Sequence, residues 1–142
     1  MILHNQIKLS FLSLAENVTI ARITAATFAA QLDFPVSELE EIKVAISEAV
    51  SNAIIHGYRE QSGIVELVMN LYSHQLEFVI IDHGCGITNI AEARQPAFSS
   101  DPERMGLGFA FMESFMDELI VESAISEGTT VRLIKKIASC QH

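Results

Sequence analysis

Two short apolar runs, Ile64 to Tyr72 and Leu76 to Ile81, stand either side of Ser73-His-Gln75. This spacing suits two antiparallel strands joined by a turn. Within the second run Phe78-Val-Ile-Ile81 is apolar at every position, so its strand has to be the most deeply buried one. A buried hairpin needs a layer to cover it, and the rest of the chain supplies helical candidates. Leu39, Ile42, Ile46, Ala49, Val50, Ala53 and Ile54 recur at intervals of three and four, the pattern of one helix face. Ser37-Glu-Leu-Glu40 has the form of a capping box at its start, and Gly57 supplies a stop.

The alternation around Ile7, Leu9 and Phe11 predicts a first strand, and the alanine-rich stretch Asn17 to Leu32 predicts a helix punctuated by Asp33-Phe-Pro35. Gly106-Leu-Gly108 opens an apolar segment to Met116 that reads as a third helix. Leu119 to Ser123 and Thr129 to Ile137 read as strands about a turn at Glu127-Gly128. Thr88 to Met105 is the longest irregular stretch. The sum is an α+β chain, a two-layer α/β sandwich whose mostly antiparallel sheet carries its helices on one face and leaves the other solvated. At 142 residues, one domain spanning 1–142 suffices.

The net charge of -9 argues against holding nucleic acid by phosphate neutralisation, and against an anionic lipid surface. No charged-then-apolar leader follows Met1 and no apolar run approaches the length of a membrane span, so a cytoplasmic location is expected. Cys85 and Cys140 have no CxxC spacing and are expected to be thiols. With His56, His74 and His83, Cys85 makes no zinc pattern.

Four weak signals fall in one order along this sandwich. Glu48 and Asn52 are four apart on the second helix and project from one face, where a carboxylate and an amide suit a hydrated magnesium ion. Asp82 follows the buried run in Asp82-His-Gly-Cys-Gly86. A carboxylate there needs hydrogen bonds, and the exocyclic amine of a purine is a fitting donor. Gly84 and Gly86 permit close approach of backbone to ligand. Gly106 and Gly108 precede a helix whose free amides favour anions, with Arg104 beside them. Last comes Gly128-Thr-Thr130, whose hydroxyls can reach a base or support a strand.

This order resembles the GHKL ATPase superfamily, and within it the anti-sigma-F serine kinases of spore-forming bacteria. The likeness is carried by Ala21-Arg22, Gln31-Leu-Asp33, Ser47 to Tyr58, Glu92-Ala-Arg-Gln-Pro96, Gly108-Phe109, Met112-Glu113 and Phe115-Met-Asp117. It implies a Bergerat-type ATP-binding fold. It implies Asn52 as ligand of Mg2+, Glu48 as base for the attacking hydroxyl, and Asp82 as reader of the adenine amine. Gly84 and Gly86 would line the nucleotide, and Thr130 would assist adenine recognition. Arg104, Gly106, Leu107 and Gly108 would belong to a lid over the triphosphate of ATP, which leaves as ADP. The resemblance further implies a homodimer that sequesters a sporulation sigma factor of the sigma F type, phosphorylates a serine of an anti-anti-sigma protein, and docks partners through Arg22. A nucleotide-gated sigma-binding module without transfer, and a kinase serving a stress sigma factor, are the alternatives. His83 and Cys85 depart from the residues usual in the family.

Overall fold

The computed structural model of the chain describes residues 2–58, 61–87, 90, 94 and 105–137, the side chains of Met105 and Gly106 apart. In chain order these form β1 (Leu3–Leu12), α1 (Glu16–Ala29), α2 (Val36–Asn52), a π-helical turn (Ala53–Gly57), β2 (Ile64–Tyr72), β3 (Gln75–Asp82), α3 (Met105–Phe115), β4 (Glu118–Ala124) and β5 (Gly128–Lys136). The strands build one sheet in the order β1-β2-β3-β5-β4. Every neighbouring pair is antiparallel, so the expected sandwich is the observed one.

Side chains alternate across a strand, which puts Leu76, Phe78, Ile80 and Asp82 of β3 on one face. In register with them are Val65, Leu67 and Met69 of β2 and Thr129, Val131 and Leu133 of β5. These apolar side chains join one core with Ala21, Ala25 and Phe28 of α1, Ile42, Ala45, Ile46 and Ala49 of α2, and Phe109 and Met112 of α3. The alanine rows on α1 and α2 are fully buried and let the two helices pack closely. Phe78 is also fully buried, and removing such a ring from water contributes about 1.5–3 kcal/mol.

The opposite sheet face is less open to water than its sequence implies. Gln6 Nε2 donates to Asn70 Oδ1 at 2.7 Å, Asn70 Nδ2 to Glu77 Oε1 at 2.9 Å, and Arg132 Nη1 to Glu77 Oε2 at 2.7 Å. This chain of bonds crosses four strands, and a one-residue slip would break it because every side chain would change face. Val79 and Ile134 on the same face are each only 6% exposed.

Two local expectations need correction. Helix α2 begins at Val36 with Pro35 at its cap and no side-chain cap bond, so the capping box at Ser37 does not form. Pro35 O instead accepts the amides of Glu38 and Leu39 at 3.0 and 3.1 Å, which places Ser37 inside the first turn. At the other end the helix does run on to Gly57, but its last five residues take the wider π form. Tyr58 N accordingly donates five residues back to Ala53 O at 3.2 Å.

Candidate functional site

Helical spacing brings Glu48 and Asn52 to one face of α2, and α3 closes over them. A methyl group built on Gly108 would lie 2.9 Å from Glu48 Oε1 and 3.4 and 3.6 Å from Asn52 Nδ2 and Oδ1. All three residues therefore meet, and a side chain at 108 would have to displace the Glu48 carboxylate. Asn52 Nδ2 is buried without a hydrogen-bond partner. Such an orphan costs about 1–3 kcal/mol when nothing satisfies it, which suits an amide that waits for a ligand. Gly106, Leu107 and Gly108 lie within the first turn of α3, where the leading amides have no partner inside the helix. Those amides and the helix dipole favour an anion beside Asn52. Arg104 lies outside the described residues.

Asp82 ends β3, faces the helices and is 5% exposed. Burial pushes its carboxyl above the ordinary carboxylate range, against the opposing pull of hydrogen bonds from the Gly84 and Thr129 amides. The Gly84 bond to Asp82 Oδ1 is 2.9 Å long. Close packing explains two of the glycines here. A methyl group on Gly57 would stand 2.7 Å from Asp82 Oδ1, and one on Gly84 would stand 1.9 Å from Gly57 O. Gly84→Ala therefore has to push the loop after Asp82 off the π turn. Its expected outcome is a loss of about 1–3 kcal/mol in overpacking strain, read as a lowered urea midpoint, together with weakened ligand binding at Asp82. Gly86 adopts φ 81°, a left-handed conformation that glycine enters without strain.

Between α2, the π turn, β3, β5 and α3 lies a cleft lined by Ala49, Asn52, Ala53, His56, Gly57, Ile80, Asp82, Gly86, Ile87, Phe109, Thr129 and Val131. Its walls are mainly apolar, with polar groups at Asp82, Thr129 and Asn52, as a flat heterocycle with a polar edge requires. The cleft opens to solvent, and the space free of atoms in it and at its mouth is about 350 Å³.

The cleft thus gathers Asn52, Asp82 and Gly86 directly, with Glu48 and Gly108 beside Asn52 and Gly84 bonded to Asp82. Thr130 does not join them. It pairs with Ile81 on the opposite sheet face, whereas Thr129 pairs with Asp82 and turns inward. The threonine of the cleft is therefore Thr129, whose Oγ1 lies 2.8 Å from Ser123 Oγ. Two adjacent threonines look alike in sequence, and register against Asp82 was the signal that separates them. Ile87 and Phe109 were also missed as cleft walls. Arg22 is half-buried on α1 and takes no part in the lining. Of the two unusual loop residues, His83 is exposed, and the thiol of Cys85 points back to His56 O at 3.2 Å. Cys140 lies outside the described residues. Among the described residues no group of three or more His, Cys, Asp or Glu could hold a metal. A cation beside Asn52 would draw its other oxygens from a ligand and water, the habit of magnesium.

A family model described as a histidine kinase-like ATPase domain matches residues 11–135. The chain is 49% identical over 138 residues to the anti-sigma F factor of Anoxybacillus flavithermus, covering 95% of this chain and 94% of the relative. Identity to the anti-sigma F factor of Bacillus subtilis is 47%, with 94% of each chain covered. For the anti-sigma F factor of Clostridium acetobutylicum it is 44%, with 96% of each covered. A crystal structure of RsbU and RsbW domains from Mycobacterium tuberculosis shares the fold at TM-score 0.66 and 20% identity, over 92% of this chain and 31% of that one. A blue-light activated histidine kinase of Erythrobacter litoralis aligns at TM-score 0.58 and 26% identity, over 78% of this chain and 33% of that one. The present chain thus spans about a third of each of those two.

Proposed function

Because the chain belongs to the histidine kinase-like ATPase family, we propose that it is an ATP-dependent protein serine kinase that doubles as an anti-sigma factor. The observation that carries this reading is the meeting of Glu48, Asn52 and Gly108 at the free amides of α3. Binding a nucleotide needs no carboxylate at that point, whereas moving a phosphoryl group to a hydroxyl benefits from one. The near full-length likeness to anti-sigma F factors supplies the partner class.

In the proposed reaction Asp82 accepts the adenine 6-amino group and Thr129 flanks it, while Ile87 and Phe109 help enclose the ring. The first-turn amides at Gly106, Leu107 and Gly108 take the phosphates, with Arg104 as an added positive charge. Asn52 would hold a magnesium ion through its amide oxygen, and that ion supplies compensation of charge on the triphosphate. Glu48 takes the proton of a serine hydroxyl as its oxygen bonds to the γ-phosphorus. The bond from that phosphorus to the β,γ-bridging oxygen breaks, and ADP leaves.

The substrate is a serine of an anti-anti-sigma protein, and the sequestered partner is a sporulation sigma factor of the sigma F type. The chain acts as a homodimer, with Arg22 on α1 contacting the partner. The test is incubation of the purified chain with Mg-ATP and the anti-anti-sigma protein of the same cell. Phosphoserine on that protein is expected, together with nucleotide-dependent capture of the sigma factor. Capture that ignores ATP, ADP and Asn52→Ala, with no phosphoserine formed, would sink the reading.

No helix among the described residues is long and apolar enough to cross a membrane.

A further inference from the structure

Three consecutive amides after Asp82 are each fastened. His83 N donates to Tyr58 Oη at 2.8 Å, Gly84 N to Asp82 Oδ1 at 2.9 Å, and Cys85 N to Gly57 O at 2.8 Å. The first of these anchors is the only side chain of the three that comes from outside the loop itself and its carboxylate. Tyr58 is well placed to act as one. Its hydroxyl also donates to Ile64 O at 2.6 Å, so a single oxygen ties the start of β2 to the residue that follows Asp82. Its backbone closes the π turn through Ala53 O. Its ring occupies the space beside Gly63, where an added methyl group would lie 2.1 Å from Cε1. The ring therefore packs against Gly63, the residue before β2, and its hydroxyl is held by two hydrogen bonds, one to Ile64 O and one from His83 N. Tyr58 does not line the cleft around Asp82 but borders the open pocket next to it, with Gly57, His83, Gly84 and Cys85, so it acts on a ligand held by Asp82 through those neighbours.

We propose that Tyr58 is a positioning residue for adenine selectivity: its hydroxyl holds the His83–Cys85 backbone so that Gly84 keeps Asp82 turned to the 6-amino edge of the purine. The proposal rests on the reading of Asp82 as adenine acceptor given above. Without the hydroxyl, the loop loses its outer tether and Asp82 loses orientation, while the phosphate-binding end at α3 and Asn52 is untouched. Selectivity between bases then falls further than affinity for nucleotide in general.

The test compares ADP with IDP, which carries a 6-oxo group in place of the amine, by calorimetry on the full chain and on Tyr58→Phe. Loss of one hydrogen bond's worth of positioning is expected to weaken ADP about five- to tenfold. IDP, which gains nothing from Asp82, weakens less than about twofold, and the selectivity ratio drops accordingly. A variant that is merely less stable would weaken both nucleotides together. A wild-type ratio well above one that Tyr58→Phe leaves unchanged overturns this proposal alone. Equal binding of ADP and IDP by the wild type overturns the adenine reading and this proposal with it. Amide exchange on the unsubstituted chain gives a check that needs no variant. The His83 amide should exchange at least about tenfold more slowly than an unstructured one, and exchange at the unprotected rate overturns the tether.

Discussion

Glu48→Gln lowers phosphoryl transfer to the serine substrate by about 10²–10⁴-fold, the range over which a positioned general base acts, while ADP affinity changes less than about twofold. The substitution keeps the shape that fits against Gly108, where the space for even one methyl group ends 2.9 Å from Glu48 Oε1. It replaces one carboxylate oxygen by an amide nitrogen, and with it removes the negative charge and the basicity. Ground-state binding therefore survives on the proposed reading, in which Asp82 holds the nucleotide at one end and the α3 amides at the other. Capture of the sigma factor survives for the same reason, and the variant separates the two activities of the protein. Single-turnover assays with labelled Mg-ATP measure the transfer and calorimetry the affinity. Transfer by Glu48→Gln at the wild-type rate would remove Glu48 from the base role. A parallel loss of ADP binding would instead make it part of the nucleotide site.

The second large effect is at Asp82. Asp82→Asn keeps the size of the side chain and removes the charge proposed to pair with the adenine amine, so ADP affinity is expected to fall about 10- to 100-fold, the worth of a charge-assisted hydrogen bond. The pH dependence follows from burial, the larger influence on this carboxyl. Its folded pKa lies above the ordinary 3.8, so between 3.8 and that raised value the folded chain holds a proton that the unfolded chain has released. Ionised Asp82 thus weakens the fold, and its contribution to stability declines as pH rises through that window. Asp82→Asn has no such decline. The melting temperature of the variant minus that of the wild type should therefore rise between pH 3.5 and neutrality, on the order of a few degrees. Wild-type ADP affinity should fall on acidification at a higher pH than an exposed aspartate would impose. A melting-temperature difference that moves the other way would mean that the Gly84 and Thr129 amides outweigh burial. In that case Asp82 is a structural hydrogen-bond hub more than a binding group.

The layer architecture was legible because it depends on local periods. Residues Leu39 to Ile54 mark a helix face at 3.6, and Phe78 to Ile81 mark a deeply buried strand. Glu48 and Asn52 were legible as a pair for the same reason, since spacing of four on a helix is a distance. Asp82 stood out as a carboxylate at the end of a buried run. Thr129 was not distinguishable from Thr130, because a pleated strand assigns faces by register with its neighbour and that neighbour is more than forty residues away. Nor was the π turn legible: Ala53 to Gly57 continue the apolar helical pattern, and the widening answers to Asp82 and Gly84 packed against Gly57. The capping box at Ser37 failed because a preceding proline carbonyl already accepted the first helical amides.

By itself, then, the order of residues determined the element types, the helical pairing of a carboxylate with an amide, and the presence of an acid where a buried strand ends. These are consequences of one chain segment at a time. The tertiary structure alone decided that Gly108 meets Glu48 and Asn52, that Thr129 and not Thr130 stands beside Asp82, and that Tyr58 ties β2 to the loop after it. Each of those contacts joins segments distant in sequence, and whether they form depends on sheet register and on close packing through glycines, which no local period encodes.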